Sequence, residues 1–139
     1  MKQYVDSSVL LRIIAKADDA LPGWRTLTNA SSSVLLQLEC LRTIDRMKMT
    51  GEIKRAEVPR TYAALHEVMS TIELLNAGDD VLERAGGQFG LPLKTLDAIH
   101  LVTAIAWRER INEEVMFVTH DKSLAAAARS YDFPVLGVD

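Results

Sequence analysis

Val115-Met116-Phe117-Val118-Thr119-His120-Asp121 is the stretch that decides the fold. Its first four residues are apolar without interruption, the pattern of a strand covered on both faces, and such strands belong to parallel sheets flanked by helices. Downstream, Lys122 to Ser130 is alanine-rich and reads as a helix, and Phe133 to Val138 reads as a last strand. Upstream, Leu93-Lys94-Thr95 opens the most apolar helix of the chain, which runs to about Glu109. The expectation is that residues 115–118 lie at the centre of the sheet.

Farther out, residues 2–5 read as a short buried strand that runs straight into a helix carrying Leu10, Leu11 and Ile14, which closes around Asp18-Asp19 and Pro22-Gly23. A weaker strand from about Leu27 to Ser33 leads through serines, which can supply an N-cap, into a helix from Leu35 to about Met49 that stops at Thr50-Gly51. Tyr62, Leu65, Val68, Met69 and Ile72 recur at helical spacing within residues 54–73. They predict a helix whose apolar side faces either the core or a partner segment. A strand near Glu73 to Asn76 and a helix from about Asp79 to Ala85 follow, ended by Gly86-Gly87. Strands alternate with helices throughout, so the predicted fold is a three-layer α/β sandwich with a mostly parallel sheet. At 139 residues, with no linker, repeat or low-complexity tract, a single domain over residues 1–139 is expected.

Composition narrows the classes. The chain is 48% hydrophobic and 25% charged, enough for a packed core and unlike a disordered chain. Its longest uncharged run, Thr26 to Leu38, is 13 residues, short of the ~18 a membrane-spanning helix needs. Arg12 breaks the first apolar run, which therefore lacks the core of a signal peptide. Cys40 is alone, so neither a disulfide within the chain nor a cysteine metal site is expected, and the setting is read as cytoplasmic. Sixteen basic against nineteen acidic residues give a net charge of -3, which excludes broad coating of nucleic acid and leaves room for a local basic patch.

Four acids stand where burial is expected. Asp6 ends the first strand, Glu39 interrupts Leu35-Leu36-Gln37-Leu38, Asp97 interrupts Leu96 to Ile105, and Asp121 follows the 115–118 strand. In a parallel sheet the ends of the first and fourth strands open on one edge, where ligands bind, and Glu39 and Asp97 near helix starts can reach the same edge. Two unit charges ~4 Å apart cost about 4 kcal/mol at an effective dielectric of 20. Four uncompensated carboxylates therefore require protonation or a hard cation, and an all-oxygen donor set favours Mg²⁺ or Mn²⁺ over zinc. Such a site suits phosphoryl chemistry. Bland readings stand beside it: Asp6 and Asp121 each precede a helix and read as N-caps, and Glu39 has Arg42 and Arg46 on its face as ion-pair partners. Asp97 has no such reading, since both sides of its helix are apolar and a lone carboxylate there needs a partner.

These residues carry a resemblance to the PIN-domain ribonucleases, and among them to the VapC-type toxins of toxin-antitoxin pairs. The match spans nearly the whole chain, through Tyr4-Val5-Asp6-Ser7-Ser8-Val9-Leu10-Leu11, Glu39, Leu96-Asp97-Ala98-Ile99-His100-Leu101 and Phe117-Val118-Thr119-His120-Asp121. It implies a PIN-like α/β/α sandwich in which Asp6, Glu39, Asp97 and Asp121 hold one or two Mg²⁺ or Mn²⁺ ions, supported by Ser8 and Thr119. It further implies an endoribonuclease that leaves a 5′-phosphate and a 3′-hydroxyl, silenced by an antitoxin, with a homodimer as the expected assembly. Lys94 matches a position that is often basic in relatives, while residues from about Thr50 to Gly90 match no family motif. Arg42, Arg46, Lys94 and Lys122, near the acids in sequence, are the candidates for RNA phosphates.

The remaining polar and aromatic residues take quieter roles. His100 reads as a packed hydrogen-bonding residue rather than a metal ligand, His120 as a loop residue, His66 as a surface residue and Cys40 as core. Trp24 and Trp107 read as covers for the core or a dimer interface, with stacking on RNA bases as the alternative. An RNA-maturation nuclease without antitoxin and a silent PIN-like binding module are the rival functions, the second disfavoured by the presence of all four acids. A haloacid-dehalogenase phosphatase would need an aspartate where Ser8 stands, and a response-regulator receiver an acidic pair at the end of the first strand.

Overall fold

The computed structural model describes residues 1–16 and 29–138. The chain order is β1 (Lys2–Val5), α1 (Ser7–Ile14), β2 (Ala30–Ser33), α2 (Leu36–Thr50), a 3₁₀ turn (Arg55–Glu57), α3 (Val58–Met69), β3 (Glu73–Leu75), α4 (Asp79–Ala85), α5 (Thr95–Ile111), β4 (Val115–Val118), α6 (Lys122–Ser130) and β5 (Val135–Leu136). All four pairings of the five-stranded sheet are parallel, in the order β3-β2-β1-β4-β5. The centre is thus β1, with β4 beside it. An apolar run marks any interior strand, and the polar Lys2-Gln3 at the amino end of β1 conceals that it is the middle one.

Alternation along the strands builds the three layers. Tyr4 and Phe117 point into one core with Leu101, Ile105 and Trp107 of α5 and Leu124 and Ala128 of α6. Val5 and Val118 point into the other with Val9 and Leu10 of α1, Leu36, Cys40 and Ile44 of α2, and Leu65 and Val68 of α3. Nine residues of α5 are buried, from Ala98 through Ile105 and at Trp107. Each large apolar side chain among them contributes roughly 1.5–3 kcal/mol, enough to hold a carboxylate in the first turn of the helix.

Several boundaries moved for local reasons. Pro59 can only occupy a first helical turn, so the 54–73 region divides into the 3₁₀ turn and α3. Leu65, Val68 and Ile72 are buried in the chain's own core, and Tyr62 and Met69 pack against it, which removes the partner-groove reading of that face. No serine caps α2; Ser33 Oγ accepts the Leu35 N–H at 3.1 Å instead. The last strand shrinks to two residues because Phe133 turns into the core and Gly137, at φ 107°, lies so close to the Thr119 carbonyl that a Cβ would collide with it. Trp107 is core, His66 is exposed, and Trp24, Leu27 and the 18–23 turn lie outside the described residues.

Candidate active site

Strand register places the floor of the site. Val5 pairs with Val118, so the residues that follow, Asp6 and Thr119 to Asp121, emerge together at the carboxyl edge of the sheet. Asp6 is 4% exposed and makes no helix-capping bond. Its Oδ1 accepts from Ser8 Oγ at 2.6 Å and its Oδ2 from Thr119 Oγ1 at 2.9 Å. The same two hydroxyls accept backbone N–H groups in turn, Ser8 from His120 at 2.9 Å and Thr119 from Asp121 at 3.0 Å. Asp121 is a true N-cap, its Oδ1 accepting the Leu124 N–H at 2.8 Å. His120 ties the turn to β5 through Nδ1 and the Gly137 carbonyl, 2.9 Å apart.

Helices supply the wall. Glu39, in the first turn of α2, ignores Arg42 and Arg46: its Oε1 meets His100 Nε2 at 2.6 Å and its Oε2 accepts from Ser7 Oγ at 3.2 Å. Arg42 pairs instead with Asp45 at 3.2 Å. Asp97, in the first turn of α5, has no hydrogen-bond partner among the described residues. It lines a hollow of about 400 Å³ with Pro92, Leu93, Lys94, Asp121 and Ser123. Lys94, the N-cap residue of α5, is thereby brought to the acids; Arg42, Arg46 and Lys122 are exposed and line no part of this hollow.

Charge crowding is visible in the carboxyl groups. Burial, followed by the negative charges of Asp121, Asp6 and Glu39, pushes Asp97 from 3.8 to about 6, with His100 pulling the other way. Asp6 is also raised, chiefly by burial, against the hydrogen bonds from Ser8 and Thr119. All four carboxylates therefore act on one region. No three His, Cys, Asp or Glu side chains among the described residues already form a cage. The oxygen donor set nevertheless fits a hard divalent ion, since Mg²⁺ keeps several waters and takes only one or two carboxylates, and Asp97 is free to be one of them.

Comparison with known proteins settles the family. Residues 3–130 match the PIN domain. Ribonuclease VapC46 of Mycobacterium tuberculosis is 32% identical over 138 residues, covering 96% of this chain and 95% of the relative. The chain is a VapC-type PIN-domain protein. The crystal structure of PAE2754 from Pyrobaculum aerophilum shares the fold, with a TM-score of 0.66 at 20% identity over 100% of this chain and 90% of that one.

Within this PIN domain, sequence reasoning missed Ser7 and Ser123 and undervalued Tyr4. Ser7 stands in the stretch that carries the family resemblance, with no role of its own assigned, yet it donates to Glu39. Tyr4 falls in the short buried strand read over residues 2–5, and only the fold shows its hydroxyl 2.7 Å from His100 Nδ1. His100 and Cys40 take their expected places in the interior, and burial pushes the Cys40 thiol up to about 12, which keeps it inert.

Proposed function

We propose that this chain is a Mg²⁺- or Mn²⁺-dependent endoribonuclease toxin, one PIN-like domain over residues 1–139, acting in the cytoplasm and silenced by a cognate antitoxin. The observation that carries the reading is Asp97, half-buried beside Asp121 in the acidic hollow, without a hydrogen-bonded partner among the described residues, and raised to about 6 by burial and then by three other carboxylates. Asp6, Asp97 and Asp121 would hold the ion, with Glu39 as a further ligand or as the group that orients water. The ion, when bound, supplies Lewis-acid stabilisation of charge on the phosphate and a water activated for attack. Ser8 and Thr119 fix the Asp6 carboxylate, and through their backbone bonds they fix the Asp121 turn. Lys94, which lines the hollow, would grip an RNA phosphate at its mouth, with Lys122, Arg42 and Arg46 as outer contacts.

The relation to a VapC ribonuclease supports RNA as substrate and an antitoxin as partner. The acidic hollow suits inhibition by an arginine or lysine of that partner, paired with the carboxylates in place of the ion. A homodimer is the proposed assembly. The test is twofold: purified protein should cleave RNA with Mn²⁺ and stop when a chelator is added, and expression should arrest growth unless the neighbouring small gene is co-expressed. Cleavage that survives the chelator overturns the metal reading. Active protein that is harmless and binds no neighbour makes it an RNA-maturation nuclease.

A further inference from the structure

Behind Glu39 lies a chain of buried hydrogen bonds that runs from the middle strand of the sheet to the acidic edge. Tyr4 OH is 2.7 Å from His100 Nδ1, His100 Nε2 is 2.6 Å from Glu39 Oε1, and Ser7 Oγ donates to Glu39 Oε2 at 3.2 Å. Tyr4 is 0% exposed, the His100 side chain 2% and the Glu39 side chain 12%, so no water competes along most of the chain. The tyrosine and histidine rings meet edge to face, with centroids 5.7 Å apart, and Phe117 closes the far side of Tyr4 at 5.2 Å. Both rings are thus fixed by packing before any hydrogen bond is counted.

We infer that His100, backed by Tyr4, is the positioning residue of Glu39: it holds Oε1 by an Nε2–H donor and so fixes the carboxylate in the rotamer that faces the other three acids. A carboxylate only accepts, so Nε2 carries the hydrogen in either charge state of the ring, and the Tyr4 hydroxyl, both donor and acceptor, complements Nδ1 in either state. Glu39 is held at both oxygens, whereas Asp97 has no hydrogen-bond partner among the described residues. Partners behind a ligand set its orientation and basicity, and their removal typically weakens metal affinity or activity by about 10- to 100-fold. The inference rests on the reading of Glu39 as part of the acidic site.

The experiment separates the two readings. In metal-free protein, ¹⁵N spectra of the His100 ring should shift on Glu39→Gln and on Tyr4→Phe; unchanged resonances overturn the inference whatever the enzyme cleaves. Mn²⁺ binding is then followed by the EPR signal of the free ion. His100→Leu, which fills the space without a donor, should raise the half-saturating Mn²⁺ concentration about tenfold or more. His100→Gln, which returns an N–H near the position of Nε2, should stay within about threefold of wild type, and Tyr4→Phe, safe in the core, should fall between them. If Gln and Leu weaken binding alike, or neither does, His100 is a packing residue and the inference fails. Wild type that binds no Mn²⁺ while showing the ring shifts sinks the metal reading and leaves the His100 to Glu39 contact standing.

Discussion

Asp6 at the end of β1 and Asp97 at the start of α5 belong to one acidic site and are held in opposite ways. Asp6 is nearly inaccessible, but both of its oxygens accept hydroxyl donors whose own lone pairs are occupied by backbone N–H groups. Asp97 is only half-buried, yet it receives no hydrogen bond from the described residues, and the negative charges of its three acidic neighbours outweigh the pull of His100. The strand-end region thus has its hydrogen bonds in place before any ligand arrives, and the first turn of α5 is left with a carboxylate that nothing among the described residues hydrogen-bonds. Rigidity and receptivity are divided between two elements, and substitutions in the two regions should therefore change stability in opposite directions.

The largest effect is expected on the helical side. Asp97→Asn should lower RNA cleavage by about 10²–10³-fold, since several kcal/mol of transition-state stabilisation passes through that carboxylate and each 1.36 kcal/mol is tenfold. The same variant, metal-free, should melt higher. The folded carboxyl, raised from 3.8 to about 6, binds its proton more tightly than the unfolded one. The stability that this linkage contributes is fully present below pH ~4 and is lost as pH rises through about 6. Asparagine has no such loss, so its advantage should be absent at pH 4 and complete above pH 7. Discounted for partial exposure it is ~1–2 kcal/mol, or roughly 3–6 °C in Tm. A melting series at pH 4 and pH 7.5 checks it, and a variant no more stable than wild type at pH 7.5 would mean that neither burial nor its acidic neighbours strain the Asp97 carboxylate.

On the strand-end side the sign reverses. Ser8→Ala removes a donor to Asp6 and an acceptor for the His120 N–H, and Thr119→Val removes a donor to Asp6 and an acceptor for the Asp121 N–H. Each should cost ~2–3 kcal/mol of stability, because buried polar groups are left unpaired, and lower Tm at pH 7.5 by several degrees. Melts of the two variants beside Asp97→Asn would settle the comparison: loss in all three would erase the distinction between a finished region and a receptive one.

What the sequence made legible follows the same division. The alternation of strands and helices, the parallel sheet and the four acids were readable because each rests on a local pattern: apolar runs, helical spacing, and charges interrupting both. The N-cap reading was right for Asp121 and wrong for Asp6, although both stand before a helix, because a cap bond and a hydroxyl bond from a distant strand look identical until Thr119 is placed beside Asp6. The Arg42 and Arg46 ladder failed for a related reason: spacing along α2 allowed it, but His100, 61 positions away, offered a buried donor against which an exposed guanidinium could not compete. The middle strand was misplaced because order in a sheet is a long-range property that no four-residue run encodes.

The smallest effect concerns the basic residues, where the comparison sharpens into one between two cations. Lys94 lies at the mouth of the hollow beside Asp97 and Asp121, whereas Arg42 is 67% exposed and committed to Asp45. A phosphate bound to a cation at the acids would be within reach of Lys94, and phosphate contacts position a substrate without taking part in its chemistry. Lys94→Ala should therefore raise KM for RNA about 3- to 10-fold with kcat nearly unchanged, and flatten the fall of kcat/KM with salt by roughly one contact's worth. Arg42→Ala should move neither by more than about twofold, since Arg42 is not among the residues that line the hollow and its exposed pair with Asp45 contributes only ~0–1 kcal/mol to stability. Steady-state cleavage at two salt concentrations distinguishes them. If Arg42→Ala proves the more damaging, the RNA runs along α2 past Glu39, and the mouth formed by Lys94, Asp97 and Asp121 is not where its phosphate enters.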